Sequence, residues 1–130
     1  GKLKSTTSKR TVSLNDTTIA MIQDLRKETY FGEDTPLVPG EHGNFTRPVN
    51  FRKRYYRILA AAGIEKKGLH SLRHTFATLA LQNGVDVKTV SSILGHFSAG
   101  FTLDTYAHVT TTAQREAAKK MDGVLGQRVP

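Results

Sequence analysis

The chain has 130 residues, which is enough to bury one hydrophobic core, and we interpret it as a single domain. It has no cysteine, which excludes disulfides and thiolate chemistry, and its apolar runs and first residues predict neither a membrane span nor export. The formal net charge of +8 favours a polyanionic partner, because basic side chains that meet phosphates release condensed counterions. Nucleic acid is the first candidate for that partner, and an anionic membrane surface is its rival.

The first 14 residues predict the remnant of a β-hairpin. A Ser/Thr-rich stretch precedes a short alternating segment there, and no later segment alternates convincingly. Two or three strands are needed for an independently stable sheet, so we expect further strands upstream of this chain. The predicted fold class is mainly α with a small β-hairpin remnant (α+β).

Helical periodicity and stop signals predict the rest of the chain. Asn15 or Asp16 can cap the first helix, and the glycines and prolines of residues 30–48 predict a loop. Ser71 and Asp86 are predicted to cap the third and fourth helices. The predicted helices cover, in chain order, 15–29, 49–62, 72–82, 87–94, 102–108 and 112–121.

Side chains suited to phosphate chemistry lie on or beside three of these predicted helices. His70 and Arg73 lie three apart at a helix N-terminus, where free amides add positive charge, so they outline an anion site. His96 follows a Leu-Gly helix end, and Tyr106 lies ten residues further on. Each residue alone has a simpler interpretation: a capping histidine, an ion-paired arginine, a helix-dipole partner and a half-buried core tyrosine. Their joint order favours one site.

The second predicted helix carries a basic run at Arg52, Lys53, Arg54 and Arg57. Such a run is either a solvated helix face or a surface that contacts the DNA backbone.

The segments 70–78, 94–96 and 102–106 closely resemble the second half of the catalytic domain of tyrosine recombinases, nearest to the integrases of phages and conjugative transposons. The resemblance implies the fold of the DNA breaking-rejoining enzymes, truncated at its amino-terminal side. It divides the predicted domain 1–130 into a hairpin remnant (1–14), a helical catalytic core (15–109) and a carboxy-terminal helix and tail (110–130).

The resemblance also implies a role for each candidate residue in site-specific recombination and integration of a mobile element. Tyr106 would attack a DNA phosphodiester and form a 3′-phosphotyrosine, while Arg73 stabilises charge on the phosphorus. His70 would act in acid-base catalysis or donate a hydrogen bond, and His96 would donate a second one. Lys4, or Lys9 as the competing candidate, would protonate the departing 5′-oxygen. No metal or other cofactor is implied.

The same resemblance requires another arginine from an upstream helix, and Arg10, Arg26 and Arg47 stand in the wrong sequence context to replace it. We therefore expect this fragment alone to lack normal strand-transfer activity. The implied partners are double-stranded DNA, other protomers in a tetrameric synapse and accessory DNA-bending or excision factors, without a membrane. The implied location is the bacterial cytoplasm, in association with the nucleoid.

Residues 110–130 either dock on a neighbouring protomer or cover the domain's own core. The sequence leaves both open for the apolar side chains Ala113, Ala117, Met121, Val124 and Leu125.

Two other functions remain as alternatives. Residues 77–96 also resemble a helix-turn-helix, so a DNA-binding regulator without strand-transfer activity is the runner-up. A metal site could use His70, His74 and His96, but Ser71 stands where helical zinc hydrolases place a glutamate. His74 is better interpreted as a packed structural residue.

Overall fold

The computed structural model describes residues 9–95 and 99–126. Within these ranges the chain forms five helices, and the only β pairing is an isolated antiparallel bridge between Pro39 and Phe45. The described residues group into two compact units, one of residues 11–69 and one of residues 9–10, 70–95 and 99–126. The helices are α1 (Asp16–Thr29), α2 (Pro48–Ala61), α3 (Leu69–Gln82), α4 (Val87–Leu94) and α5 (Ala99–Leu125).

The mainly helical fold class is confirmed, and the β-hairpin remnant is not shown. Residues 1–8 lie outside the described part of the chain, and residues 9–14 are described without a strand. The interpretation of residues 1–130 as one domain stays a prediction.

The unit of residues 11–69 contains α1 and α2, whose bounds agree closely with the predicted helices. Asn15 caps α1, since its side-chain oxygen accepts a hydrogen bond of 2.9 Å from the amide of Thr18. Pro48 occupies the first turn of α2, where its missing N–H would have had no helical partner. Gly63 follows this helix with a φ of +68°, a conformation that favours glycine.

The unit that contains α3, α4 and α5 has a small apolar core. Ala77 and Leu81 on α3 pack with Val90 and Leu94 on α4, and all four are buried. Thr102 on α5 is fully buried as well. Helix α4 is capped by Asp86, whose side chain accepts a hydrogen bond of 2.9 Å from the amide of Thr89. The cap and the glycine after Leu94 set the length of α4 at eight residues, as predicted.

Two helix boundaries were predicted wrongly. Helix α3 begins at Leu69, so Ser71 lies inside the first turn and is not the N-cap. Gly68 disfavours a helical conformation, and α3 begins at the next residue.

The second error concerns α5, which is one helix of 27 residues instead of the two short helices predicted over 102–108 and 112–121. No glycine or proline separates residues 108 and 112, and β-branched residues there lower helix propensity only slightly. All residues from 111 to 126 are exposed, so this stretch of α5 does not cover the core of its own unit.

Candidate functional site

Arg73 lies at the amino-terminal end of the α3 face that carries the buried side chains. It precedes Ala77 and Leu81 at four-residue spacing, which places all three on one face of the helix. The side chain is half-buried, and its Nη2 donates a hydrogen bond to the carbonyl oxygen of Leu94. The arginine predicted to stabilise a phosphate is therefore held against the last residue of α4.

The end of α4 is a glycine turn with an unusual backbone. Gly95 has φ +98° and ψ 154°, a conformation that is essentially restricted to glycine. Its amide donates a hydrogen bond of 2.8 Å to the carbonyl of Ser91, which closes the helix. The carbonyl groups of the last turn are the negative end of the helix dipole, so they attract arginine.

Arg10 is the second arginine at this turn, and the sequence interpretation missed it. Its Nε donates a hydrogen bond of 2.9 Å to the carbonyl of Ile93, and its Nη2 donates one of 3.2 Å to the carbonyl of Leu94. A Cβ at Gly95 would lie 3.2 Å from Arg10 Nη1. In the sequence, the only sign of this contact is a helix end at a glycine, where the last carbonyl groups lack helical partners. That sign does not show which arginine donates hydrogen bonds to these carbonyls.

Tyr106 lies on the face of α5 that begins at the buried Thr102, one helical turn before it. Tyr106 is 47% exposed, so the residue is accessible to solvent. Helix α5 packs against α4, and the contact of His74 on α3 with Phe101 places the start of α5 beside α3. The helices that carry Arg73, the Leu94 carbonyl and Tyr106 therefore surround the same core.

Both histidines of α3 are exposed. His70 lies in the first turn of the helix. The ring of His74 packs edge-on against the ring of Phe101, with centroids 4.0 Å apart and planes at 82°. This contact supports a structural role for His74.

Two of the predicted catalytic residues, Lys4 and His96, lie outside the described residues. Lys9, the competing lysine, is described and exposed. Among residues 9–95 and 99–126, no group of three or more His, Asp or Glu side chains could hold a metal ion. No helix within these ranges is long and apolar enough to cross a membrane.

The predicted DNA-binding side chains on α2 are all exposed. At about 100° per residue, Arg52, Lys53, Arg54 and Arg57 span an arc of about 200° around the helix. A half-buried stripe occupies the opposite side of α2 and is formed by Phe51, Tyr55 and Leu59.

Lys66 adds a cation to this basic surface that the sequence interpretation did not single out. Its Nζ lies 4.4 Å from the centroid of the Tyr56 ring. Tyr56 lies within the basic arc and lines an open depression together with Lys53 and Arg57. A lysine after the end of a helix gives no sequence signal for a contact back onto that helix.

Helices α3 to α5 thus share one core, with Arg73 held at the end of α4 and an exposed tyrosine on α5. The model of the phage integrase family matches residues 2–113, so the chain belongs to this family. The resemblance to tyrosine recombinases is confirmed.

Several relatives are named tyrosine recombinases. A XerC-like tyrosine recombinase of Caldanaerobacter subterraneus subsp. tengcongensis is 35% identical over 85 residues, 65% of this chain and 22% of the relative. The tyrosine recombinase XerC of Chlorobaculum parvum is 44% identical over 90 residues, 68% of this chain and 26% of the relative. The matches span about a quarter of the length of these relatives. No solved structure matches the chain significantly.

Proposed function

We propose that this chain forms the nucleophile-bearing part of a site-specific DNA recombinase, in which Tyr106 cleaves one DNA strand and later releases it to a new partner strand. The observation that carries the proposal is the common core of α3, α4 and α5, with Arg73 held at the end of α4 and Tyr106 accessible on α5. Family membership and relatives named tyrosine recombinases support it.

The proposed reaction exchanges one phosphoester bond for another. The Tyr106 oxygen gives its proton to a general base, for which His70 is the candidate, and attacks the phosphorus. The new bond gives a 3′-phosphotyrosine as the bond to the 5′-oxygen breaks. Lys4, or Lys9 as its competitor, supplies the proton that the 5′-oxygen needs to leave as a hydroxyl. A 5′-hydroxyl from another strand reverses these steps and frees Tyr106. The bond energy is stored in the covalent adduct, so ATP is not consumed.

Arg73 and the two histidines are proposed to act on the phosphate. The Arg73 guanidinium can pair with two non-bridging oxygens and stay charged at any physiological pH. His70 stands one turn before Arg73 at the start of α3, where the helix dipole also favours an anion. His96 would follow the Gly95 turn as a further hydrogen-bond donor to the same phosphate.

The proposed substrate is double-stranded DNA, and the proposed partners are further protomers in a tetrameric synapse and accessory DNA-bending or excision factors. The basic arc of α2 supports a contact with the DNA backbone, because its cations lie opposite a half-buried stripe. A location in the bacterial cytoplasm with the nucleoid stays a prediction.

Strand transfer by the 130 residues alone is not expected. The resemblance requires a second arginine on the phosphate, and Arg10 already donates through Nε and Nη2 to the carbonyls of α4. We propose that the missing charge comes from another part of the intact protein. Adduct formation and rejoining by the 130 residues at the rate of the intact protein would contradict this.

A covalent-capture experiment tests the proposed function. The intact protein is mixed with a pool of duplex fragments from the mobile element and its flanks, and adducts are trapped with detergent. Protease digestion should leave DNA with 3′ ends blocked by a phosphotyrosine peptide, at one reproducible site. Tyr106→Phe should abolish the adduct, whereas Tyr30→Phe, which changes a tyrosine that is 49% exposed, should leave it unchanged. An adduct that persists in Tyr106→Phe would refute the assignment.

The helix-turn-helix regulator remains the second candidate, because α3 and α4 are consecutive helices joined by a short turn at residues 83–86. Helix α4 carries a single basic side chain, Lys88, which is weak support for a recognition helix. A regulator should keep its DNA binding and its transcriptional effect in Tyr106→Phe and form no covalent adduct in the wild type.

A further inference from the structure

The three hydrogen bonds at the end of α4 connect segments that are distant in sequence. Arg10 reaches across 83 and 84 residues to the carbonyls of Ile93 and Leu94, and Arg73 reaches across 21 residues to the same Leu94 carbonyl. A carbonyl oxygen has two lone pairs, so it can accept both arginines at once. The Leu94 oxygen is therefore a hydrogen-bond acceptor that the two guanidinium groups share.

From this geometry we propose that Arg10 is a positioning residue for the cleavage reaction and acts through the Leu94 carbonyl on Arg73. The proposal rests on the proposed function of the site. The guanidinium fork of Arg10 spans two successive carbonyls at the end of α4 and fixes the direction of the second one. The Leu94 carbonyl orients the Arg73 guanidinium through their hydrogen bond. Arg10 therefore determines, through this carbonyl, the position of the Arg73 charge relative to the phosphate.

The backbone at the turn supports a fitted position for Arg10. Gly95 has a φ of +98°, and any Cβ there would lie 3.2 Å from Arg10 Nη1 and 3.4 Å from its Cζ. Glycine thus leaves room for the guanidinium beside the turn. The negative end of the α4 dipole favours a cation at this place and offsets part of the repulsion between two neighbouring arginines.

A positioning role differs from a general contribution of charge. Lysine carries the same charge as arginine, but its single ammonium group cannot span two carbonyls in a fixed plane. If only charge matters, Arg10→Lys should behave like the wild type. If Arg10 positions Arg73, lysine should restore little of the lost rate.

The test uses the intact protein and the DNA site recovered by covalent capture, with adduct formation followed in single turnover at saturating DNA. Arg10→Ala, Arg10→Gln and Arg10→Lys should each lower the rate about 10- to 100-fold, the size of effect expected when a catalytic group is misplaced by about 1 Å. The dissociation constant for DNA should change by less than about threefold, because the contacts that hold the DNA backbone lie elsewhere in the protein. Lys88→Ala removes one exposed charge from α4, the helix whose end Arg10 contacts, and serves as the control.

A double-mutant comparison with Arg73→Ala distinguishes a positioning role of Arg10 from a merely structural role. In an Arg73→Ala background, Arg10→Ala should cost less than about threefold further, because the group that it positions is gone. A neutral methylphosphonate at the cleavage site should shrink the loss in Arg10→Ala, since less charge then needs to be stabilised.

Full rates in all three Arg10 variants, rescue by lysine, or an undiminished loss in the Arg73→Ala background would each overturn the proposal for Arg10 alone. No adduct in the wild type would instead refute the proposed function and this inference with it.

Discussion

Arg10 and Arg73 donate hydrogen bonds to the same acceptor, the carbonyl oxygen of Leu94. One arginine comes from the segment before α1 and the other from the face of α3 that carries the buried Ala77. The shared acceptor makes the end of α4 the centre of the candidate site. Changes at this turn should therefore affect catalysis as well as stability.

Gly95→Ala should be destabilising and should slow covalent adduct formation. An alanine with a φ of +98° is strained, at a cost of about 1 to 3 kcal/mol, and its Cβ would push against the Arg10 guanidinium. Thermal unfolding and the single-turnover cleavage rate of the intact protein measure the two effects. Gly123→Ala is the control, since a Cβ there meets nothing within 4 Å and alanine favours the helix. Wild-type stability and rate in Gly95→Ala would show that the turn tolerates a side chain.

The helices of this chain could largely be predicted from the sequence, because caps and glycine stops are local signals. Asn15 and Asp86 cap their helices as expected, and Gly95 ends α4. The shared carbonyl at Leu94 could not be predicted, since it depends on which long side chain reaches a helix end from a distant segment. The continuity of α5 was missed because β-branched residues weaken a helix without stopping it.

His74→Phe should retain most of the cleavage rate, because phenylalanine preserves the edge-on ring contact with Phe101. His74→Ala should lower the thermal stability, since it removes that contact. The matched comparison is His70→Ala, which should slow adduct formation by about 100-fold if His70 takes part in proton transfer or phosphate binding. The interpretation of His74 as structural would be wrong if His74→Phe were as slow as His70→Ala.

Val90→Ala should destabilise the unit formed by α3, α4 and α5 by about 2 to 3 kcal/mol. Val90 is fully buried in a core of four side chains, so the cavity has few neighbours that could close it. Ser92→Ala, at an exposed position of the same helix, should change the free energy of unfolding by less than about 0.5 kcal/mol. Denaturant unfolding measures both, and equal values for the two variants would place the core elsewhere.

The cap of α4 predicts a pH dependence of stability. The hydrogen bond from the Thr89 hydroxyl, and after it the one from the Thr89 amide, holds the pKa of Asp86 below its ordinary value. The stabilisation is therefore complete above the unfolded-state pKa and is lost as the pH falls through the lower folded-state pKa.

Melting temperatures of wild type and Asp86→Asn, measured from neutral pH downward, test this linkage. The wild type should lose its advantage over the variant in the acid range. A constant difference at all pH values would show that the Asp86 charge does not contribute.

The basic arc of α2 should give DNA binding much of its salt dependence. Each lost phosphate contact should lower the slope of log K against log salt by about 0.9. Replacing Lys53 and Arg57 by alanine removes the middle of the arc while leaving the half-buried stripe of α2 intact. The double variant should therefore bind DNA more weakly, with a slope smaller by up to about 2.

The control for this experiment is the double replacement of Lys119 and Lys120 by alanine, which removes two exposed charges from α5. It changes the net charge equally, so a similar loss of slope in both double variants would indicate only a long-range charge effect. An unchanged slope in the α2 variant would show that Lys53 and Arg57 belong to a solvated helix face and do not contact the DNA backbone. A loss confined to the α2 variant, with the same fold-change on specific and unrelated DNA, is the result expected for contacts to the phosphate backbone.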